Sequence, residues 1–311
     1  MEQADCIEVK NLTKVFGSIK AVDNISFNVK KGEVFGFLGP NGAGKSTTMK
    51  MLTSFIHPTS GSISILGYDL ALASMKAKEK TGYLPETVAL YADMVTLDFL
   101  NFIREVRGLK GRAPIERVVN LCSLQSVLDK KIETLSKGFK RRVALAQALM
   151  HDPEVLIMDE PTDGLDPNQK AEVRDLIREM AKEKIIILST HILEEVEAVC
   201  TRAVIINEGQ IRFDGTPDEL RRRSGIHNAV EIKLNSPVSN ESINKLQELV
   251  YVESVKQAGK HSLMIFPENK KNISHEVMAF AIQNGFDIDE VSLKQGSLNE
   301  VFRNITEGGV S

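Results

Sequence analysis

The sequence has no tryptophan, four tyrosines and three cysteines among 311 residues. So few aromatic rings leave little on which the bases of a single nucleic-acid strand would stack. The cysteines, Cys6, Cys122 and Cys200, are odd in number, far apart and outside metal-ligand spacing. They read as reduced thiols, which excludes a disulfide scaffold and a zinc site. The formal net charge of −3 lacks the basic excess that gripping a phosphate backbone requires, so no nucleic-acid partner is expected. Long apolar runs are missing too: residues 155–158 and 185–188 fall far short of the roughly 18 needed to cross a bilayer. The first ten residues carry Glu2, Asp5 and Glu8 instead of a basic-then-apolar leader, so a cytosolic location is expected.

What is present is ordinary globular composition, 42% hydrophobic and 26% charged, over a length that predicts two domains. Alternating apolar positions at Ile7, Val9 and Val15, then Ile25, Phe27 and Val29, predict antiparallel strands. Residues 34–38 form a continuous apolar run, the mark of a strand buried on both faces, and lead through a glycine-rich loop to a predicted helix over 45–53. A hairpin is expected at Pro58, Thr59, Ser60 and Gly61 ahead of a strand over 62–66. Helical spacing from Thr96 to about Leu128, with Leu97, Leu100, Phe102, Ile103 and Val106, predicts a helical insertion.

Strand-like runs at 155–158, 185–188 and 204–206, separated by helix-like stretches, predict an α/β domain with a largely parallel sheet. From Ile226 the predicted order becomes βαββαβ, the ferredoxin-like one, followed by a last helix over 297–305. The expected domains are therefore 1–224, with a helical subdomain over about 91–145, and 225–311. The basic run Arg221, Arg222 and Arg223 reads as a solvated helix end favourable to the macrodipole.

The chemistry starts at Gly39-Pro40-Asn41-Gly42-Ala43-Gly44-Lys45-Ser46, which fits G-x-x-x-x-G-K-[ST] and lies between a buried strand and a helix start, with Thr47 following. Glycines let successive backbone N–H groups turn inward around a phosphate, and the helix N-terminus adds partial positive charge. Lys45 is placed to reach β- and γ-phosphate oxygens and Ser46 to hold Mg²⁺. The apolar run 155–158 ends in Asp159 and Glu160. Asp159 is placed to hold Mg²⁺ through its water shell, and Glu160 to orient the attacking water and accept its proton.

In this order the motifs resemble the nucleotide-binding subunit of an ATP-binding cassette (ABC) transporter, over roughly residues 7–220. The resemblance implies a P-loop ABC ATPase domain, built of a mixed sheet plus a helical subdomain, with a small C-terminal α+β ferredoxin-like domain. It assigns Leu135-Ser136-Lys137-Gly138-Phe139 to the signature, residues 163–166 to the D-loop and His191 to the switch histidine. Phe16 takes the position that stacks on adenine, and Tyr83-Leu84-Pro85-Glu86 the Q-loop. Two departures stand out. Lys137 and Phe139 replace a glycine and a glutamine of the usual signature, while Ser136 and Gly138, which contact the opposing nucleotide in the family, are kept. Glu86 replaces the usual glutamine and becomes a candidate metal ligand.

These departures, and the ending Gly296-Ser297-Leu298-Asn299-Glu300-Val301-Phe302, are similar to the subgroup that powers ABC-2 type exporters, including drug-resistance and gliding-motility-associated transporters. What this implies is an ATPase that dimerises around two Mg-ATP, with itself or a homologous subunit, and drives a separate membrane permease. It would sit on the cytoplasmic face of the membrane, peripheral through that permease. The alternative is a soluble ABC ATPase acting on nucleic acid or ribosomes, but the long coiled-coil insertion and the doubled cassette of such proteins are lacking. A nucleotide-binding regulator without turnover is disfavoured by the presence of both Glu160 and His191.

Overall fold

The computed structural model describes residues 6–307, so the first five residues of the segment read for a leader lie outside the described residues. The chain divides into two compact units, Met1–Pro217 and Asp218–Ser311.

In the first unit, β1 (Cys6–Phe16) and β2 (Ile19–Lys30) form the expected antiparallel pair. β3 (Val34–Leu38) is buried at every position and leads into α1 (Lys45–Leu52). β4 (Ser60–Ile65) pairs with β1 and with the short β5 (Tyr68–Asp69). The hairpin turn therefore lies at Leu66 and Gly67, both at positive φ, and not at Pro58–Gly61. Gly61 instead takes φ +91° where β4 crosses the Asn11 backbone, beside a register shift between Lys10 and Thr13. Its glycine serves a close approach between strands rather than a turn.

α2 (Leu70–Glu79), capped by Asp69, was not expected from the sequence. β6 (Thr81–Leu84) follows. The helical stretch is α3 (Thr96–Val106), α4 (Ala113–Leu121) and α5 (Lys137–Leu149), broken at Gly108 and Gly111, both at positive φ. β7 (Val155–Asp159), α6 (Pro167–Ala181), β8 (Ile185–Thr190), α7 (Leu193–Val199), β9 (Arg202–Asn207) and β10 (Gln210–Gly215) complete the unit.

The main sheet has the order β10-β9-β3-β8-β7-β6, parallel except for β10. The second sheet runs β2-β1-β4-β5. Phe27 of β2 stacks on Phe35 of β3 at 5.3 Å and meets Phe37 edge-on at 5.1 Å, so the two sheets share one core. Strands β3, β7 and β8 thereby deliver Gly39, Glu160 and His191 just beyond their C-terminal ends, where open α/β sheets bind ligands.

The second unit holds most of α8 (Pro217–Arg222), then β11 (Val230–Leu234), α9 (Asn240–Gln247), β12 (Val252–Gly259), β13 (Ser262–Pro267), α10 (Ser274–Gln283), β14 (Ile288–Leu293) and α11 (Leu298–Thr306). Its sheet order, β12-β13-β11-β14 and antiparallel throughout, is the ferredoxin-like arrangement read from the sequence. Ile232, Leu246, Leu263, Ile265 and Val277 are fully buried in its own core. Glu300 of α11 accepts the Ser224 hydroxyl at 2.6 Å and the Gly225 N–H at 3.1 Å, which ties the start of this unit to its end.

Candidate active site

The loop from Gly39 to Gly44 has the shape its glycines require. Gly44 sits at φ +109°, and a Cβ there would lie 2.6 Å from the Ala21 carbonyl of β2; Gly42 is at φ +81°. Ala43 N–H donates to Pro40 O at 3.2 Å, and the Ala43 carbonyl accepts Gly209 N–H at 3.0 Å, so β2 and the β9–β10 turn both brace the loop. Lys45 is 6% exposed; its ammonium donates to Gly39 O at 2.7 Å and Pro40 O at 3.2 Å and lies 3.9 Å from Glu160 Oε1. Burial pulls its pKa down, while Glu160, Asp159 and Glu86 act to keep it charged.

Ser46 Oγ donates to Asp159 Oδ1 at 3.3 Å, and the Ser189 hydroxyl donates to the same oxygen. A hydroxyl and a carboxylate therefore converge from α1 and β7. These are the hard oxygen donors that Mg²⁺ favours when substrate phosphates and water complete its shell, so the pair fits the ion. Among the described residues no cluster of three or more His, Cys, Asp or Glu side chains offers an all-protein metal cage.

Glu160 follows directly, at φ +50°, a conformation that costs a non-glycine residue roughly 1 to 3 kcal/mol and clusters at functional sites. It is held there: its N–H donates to Ser189 O and Ser189 Oγ, each at 3.1 Å. Its carboxylate accepts from His191 Nδ1 at 3.0 Å, which assigns the proton to Nδ1. Burial pushes the Glu160 carboxyl up, against the opposing pull of His191 and Lys45. His191 is half-exposed, so its other ring nitrogen faces outward from the pair.

Arg141, on the buried face of α5, went unnoticed in the sequence. Its guanidinium donates to Asp159 O at 2.7 Å, Glu160 O at 2.6 Å, Pro161 O at 3.2 Å, Pro85 O at 2.9 Å and Glu86 O at 2.8 Å. All five partners are backbone carbonyls, so one side chain ties the Q-loop to the segment carrying Asp159 and Glu160. The only sequence signal was a basic run, Lys140 to Arg142, inside an otherwise apolar helix. Ser189, which holds both acids, carried no signal beyond its place at a strand end.

Glu86 is exposed, and its carboxylate is among the charges acting on Lys45 and Tyr83. Burial, with Asp159 and Glu86 nearby, pushes the partly buried Tyr83 hydroxyl up to about 12, so it stays neutral. A cavity of about 620 Å³ joins Glu86 to Ser46 and Asp159 and extends past Phe55, Thr87 and Arg107.

Ser136 and Gly138 lie apart from this cluster. Ser136 caps α5 by accepting Phe139 N–H at 3.3 Å, a Cβ on Gly138 would collide with the Gln169 amide, and Lys137 pairs with Asp163 at 3.2 Å. Phe16 is half-exposed at the end of β1, with the Lys14 ammonium 5.0 Å from its ring centre. Phe16 pairs with Ile19 of β2, the strand whose Ala21 carbonyl lies against Gly44.

The family described as ABC transporter matches residues 22–163, and the family described as ATP-binding protein DrrA1-3-like, C-terminal domain, matches residues 215–306. The chain is 41% identical over 222 residues to the probable multidrug ABC transporter ATP-binding protein YbhF of Escherichia coli (strain K12), covering 70% of this chain but 38% of that protein. It therefore spans well under half the length of this relative. It is 32% identical over 305 residues to the bacitracin transport ATP-binding protein BcrA of Bacillus licheniformis, covering 97% of this chain and 98% of that one. Among solved structures, one titled as the ATP binding subunit of an ABC transporter superposes with a TM-score of 0.64 at 34% identity, over 70% of this chain and 92% of the other.

Proposed function

The chain belongs to the family of ABC transporter ATP-binding proteins, and from that premise we propose that it hydrolyses ATP to drive an ABC-2 type exporter, closing with a second cassette around two nucleotides and working a separate membrane permease. The observation that carries this reading is the convergence of Lys45, Ser46, Asp159, Glu160 and His191 at the ends of β3, β7 and β8. The relatives named for multidrug and bacitracin transport support the exporter assignment. Among the described residues no helix is long and apolar enough to cross a membrane, which accords with a permease on another chain and a peripheral place at the cytoplasmic face. Nothing favours the nucleic-acid or ribosome alternative.

In this reading residues 39–47, through the backbone N–H groups of all but Pro40, and the Lys45 ammonium hold the β- and γ-phosphates, and Phe16 stacks on the adenine. Ser46 and Asp159, with Glu86 as a further candidate, would hold Mg²⁺, which would supply charge neutralisation on the transferred phosphoryl group. Glu160 orients the attacking water and accepts its proton, and its raised pKa makes it a stronger base than an exposed carboxylate. His191 Nδ1–H fixes the carboxylate of Glu160. Ser136 and the Gly138 N–H act on the nucleotide of the opposing cassette, a second copy or a homologous subunit. The cavity beside Glu86 offers the permease a groove, and Arg141 connects that groove to Glu160 through backbone. The division at 1–224 and 225–311 assigns catalysis to the first part and partner contacts to the second.

The test is ATP turnover. Glu160→Gln keeps the shape but cannot accept the proton, so turnover should fall 10²- to 10⁴-fold while MgATP binding persists. Retention of more than about a tenth of wild-type turnover contradicts the general-base role.

A further inference from the structure

Strands β7 and β8 are paired in parallel up to Asp159 and Ser189, and the ladder then stops. Glu160 and His191 lie just past its end, on two separate loops, yet they meet at 3.0 Å. The Glu160 N–H still bonds to Ser189 O at 3.1 Å, but beyond that bond side chains must keep the two loops in register.

The Glu195 carboxylate spans them. One oxygen accepts the hydroxyl of Thr162, two residues after Glu160, and the other accepts the hydroxyl of Thr190, directly before His191, at 3.2 Å. Glu195 is 3% exposed, Thr162 2% and Thr190 0%, so all three groups are withdrawn from water. The ammonium of Lys170 on α6 lies 3.7 Å from Glu195 Oε1 and supplies the counter-charge. Thr190 Oγ1 also accepts Ile192 N–H at 3.0 Å. A buried carboxylate is unfavourable unless it is paired and hydrogen-bonded, and here both oxygens are used. Glu195 occupies the third position of α7, where an acidic residue ordinarily turns back to cap its own helix. This one turns to two loops instead.

We propose that Glu195 is a positioning residue for hydrolysis, holding Glu160 and His191 together through Thr162 and Thr190. The proposal rests on reading Glu160 and His191 as the hydrolytic pair. Arg141 holds the carbonyls of Glu160 and Pro161 from one side, and Thr162 anchored on Glu195 fixes the same segment two residues further on. Misplacing a reacting group by about 1 Å can cost 10²-fold in rate, so loss of this brace should be read in kcat rather than in nucleotide binding.

The experiment measures kcat and KM for MgATP in the full chain carrying Glu195→Gln, Thr162→Val, Thr190→Val, Thr162→Ser and Thr190→Ser. Glutamine keeps the volume, but its amide can satisfy only one threonine hydroxyl in the donor sense both now use. Valine keeps the threonine shape without the hydroxyl; serine keeps the hydroxyl. Glu195→Gln and the valine variants should lose roughly 10- to 100-fold in kcat, with KM changed by less than about threefold. The serine variants should retain at least about half of wild-type kcat. Because the groups act as one unit, Glu195→Gln combined with Thr190→Val should be no slower than the slower single variant. Wild-type kcat in Glu195→Gln overturns the proposal, as do losses that multiply in the double variant or serine variants as slow as the valine ones. Glu160→Gln run alongside separates the two readings: if it stays active, the hydrolytic pair and this proposal both fall, whereas an inactive Glu160→Gln beside unaffected Glu195 variants removes the brace alone.

Discussion

Glu86 and His151 show how single side chains carry measurable consequences. Two unit charges 4 Å apart in water interact by about 1 kcal/mol, so a Glu86 carboxylate in the proposed metal site should strengthen apparent Mg²⁺ affinity at least several-fold over an amide. Glu86→Gln should therefore need more Mg²⁺ for half-maximal ATP hydrolysis; superimposable titrations would remove Glu86 from the metal site. His151 donates from Nε2 to Thr81 O at 3.2 Å, and its buried Nδ1 has no hydrogen-bond partner. A proton there would face no acceptor and would add charge near Arg107 and Arg117; burial first, then Arg107, pulls the pKa from 6.5 down to about 4. The unfolded chain thus binds a proton that the folded one refuses between those values. Its contribution is fully present above pH 6.5 and is lost as pH falls toward 4. His151→Gln should flatten the decline in urea midpoint between pH 7.5 and 5, and an unchanged slope would show that other groups set it.

Among elements, the phosphate loop separates two effects of glycine. At Gly44 an added Cβ meets both a left-handed backbone and the Ala21 carbonyl; at Gly42 it meets the backbone conformation alone, with no atom within 4 Å. Left-handed geometry costs an L-residue roughly 1 to 2 kcal/mol, so Gly42→Ala should weaken MgATP binding by about 5- to 30-fold and Gly44→Ala by well over that, as equilibrium nucleotide titration would read. Equal losses would mean that β2 does not brace the loop. The loop, β3 and the acids after β7 were legible because each is a short local pattern: an apolar run, then residues of fixed chemistry. α2 was not legible, since Leu72 and Met75 are exposed and give it no clear apolar face. The Pro58–Gly61 hairpin was misplaced because a glycine in a close strand crossing looks, in sequence, like one in a turn. Arg141 and Glu195 stayed hidden for another reason: Arg141 holds backbone carbonyls 18 to 56 residues away, and Glu195 holds threonines 5 and 33 residues away that carry no motif.

At the scale of the molecule, the first unit holds the residues proposed for phosphate and water chemistry, and the second is a small ferredoxin-like sheet. The contacts of Ser136 and Gly138 are with Phe139 and Gln169, not with the phosphate loop, and the proposed function has a second cassette present such residues to the nucleotide. The measurement that tests this most directly is the molar mass of Glu160→Gln by light scattering, with MgATP and then with ADP. Hydrolysis blocked but binding intact should trap a species of twice the 34.4 kDa protomer mass in MgATP, returning to one protomer in ADP. A protein that binds ATP yet keeps the single-protomer mass in both nucleotides would contradict it.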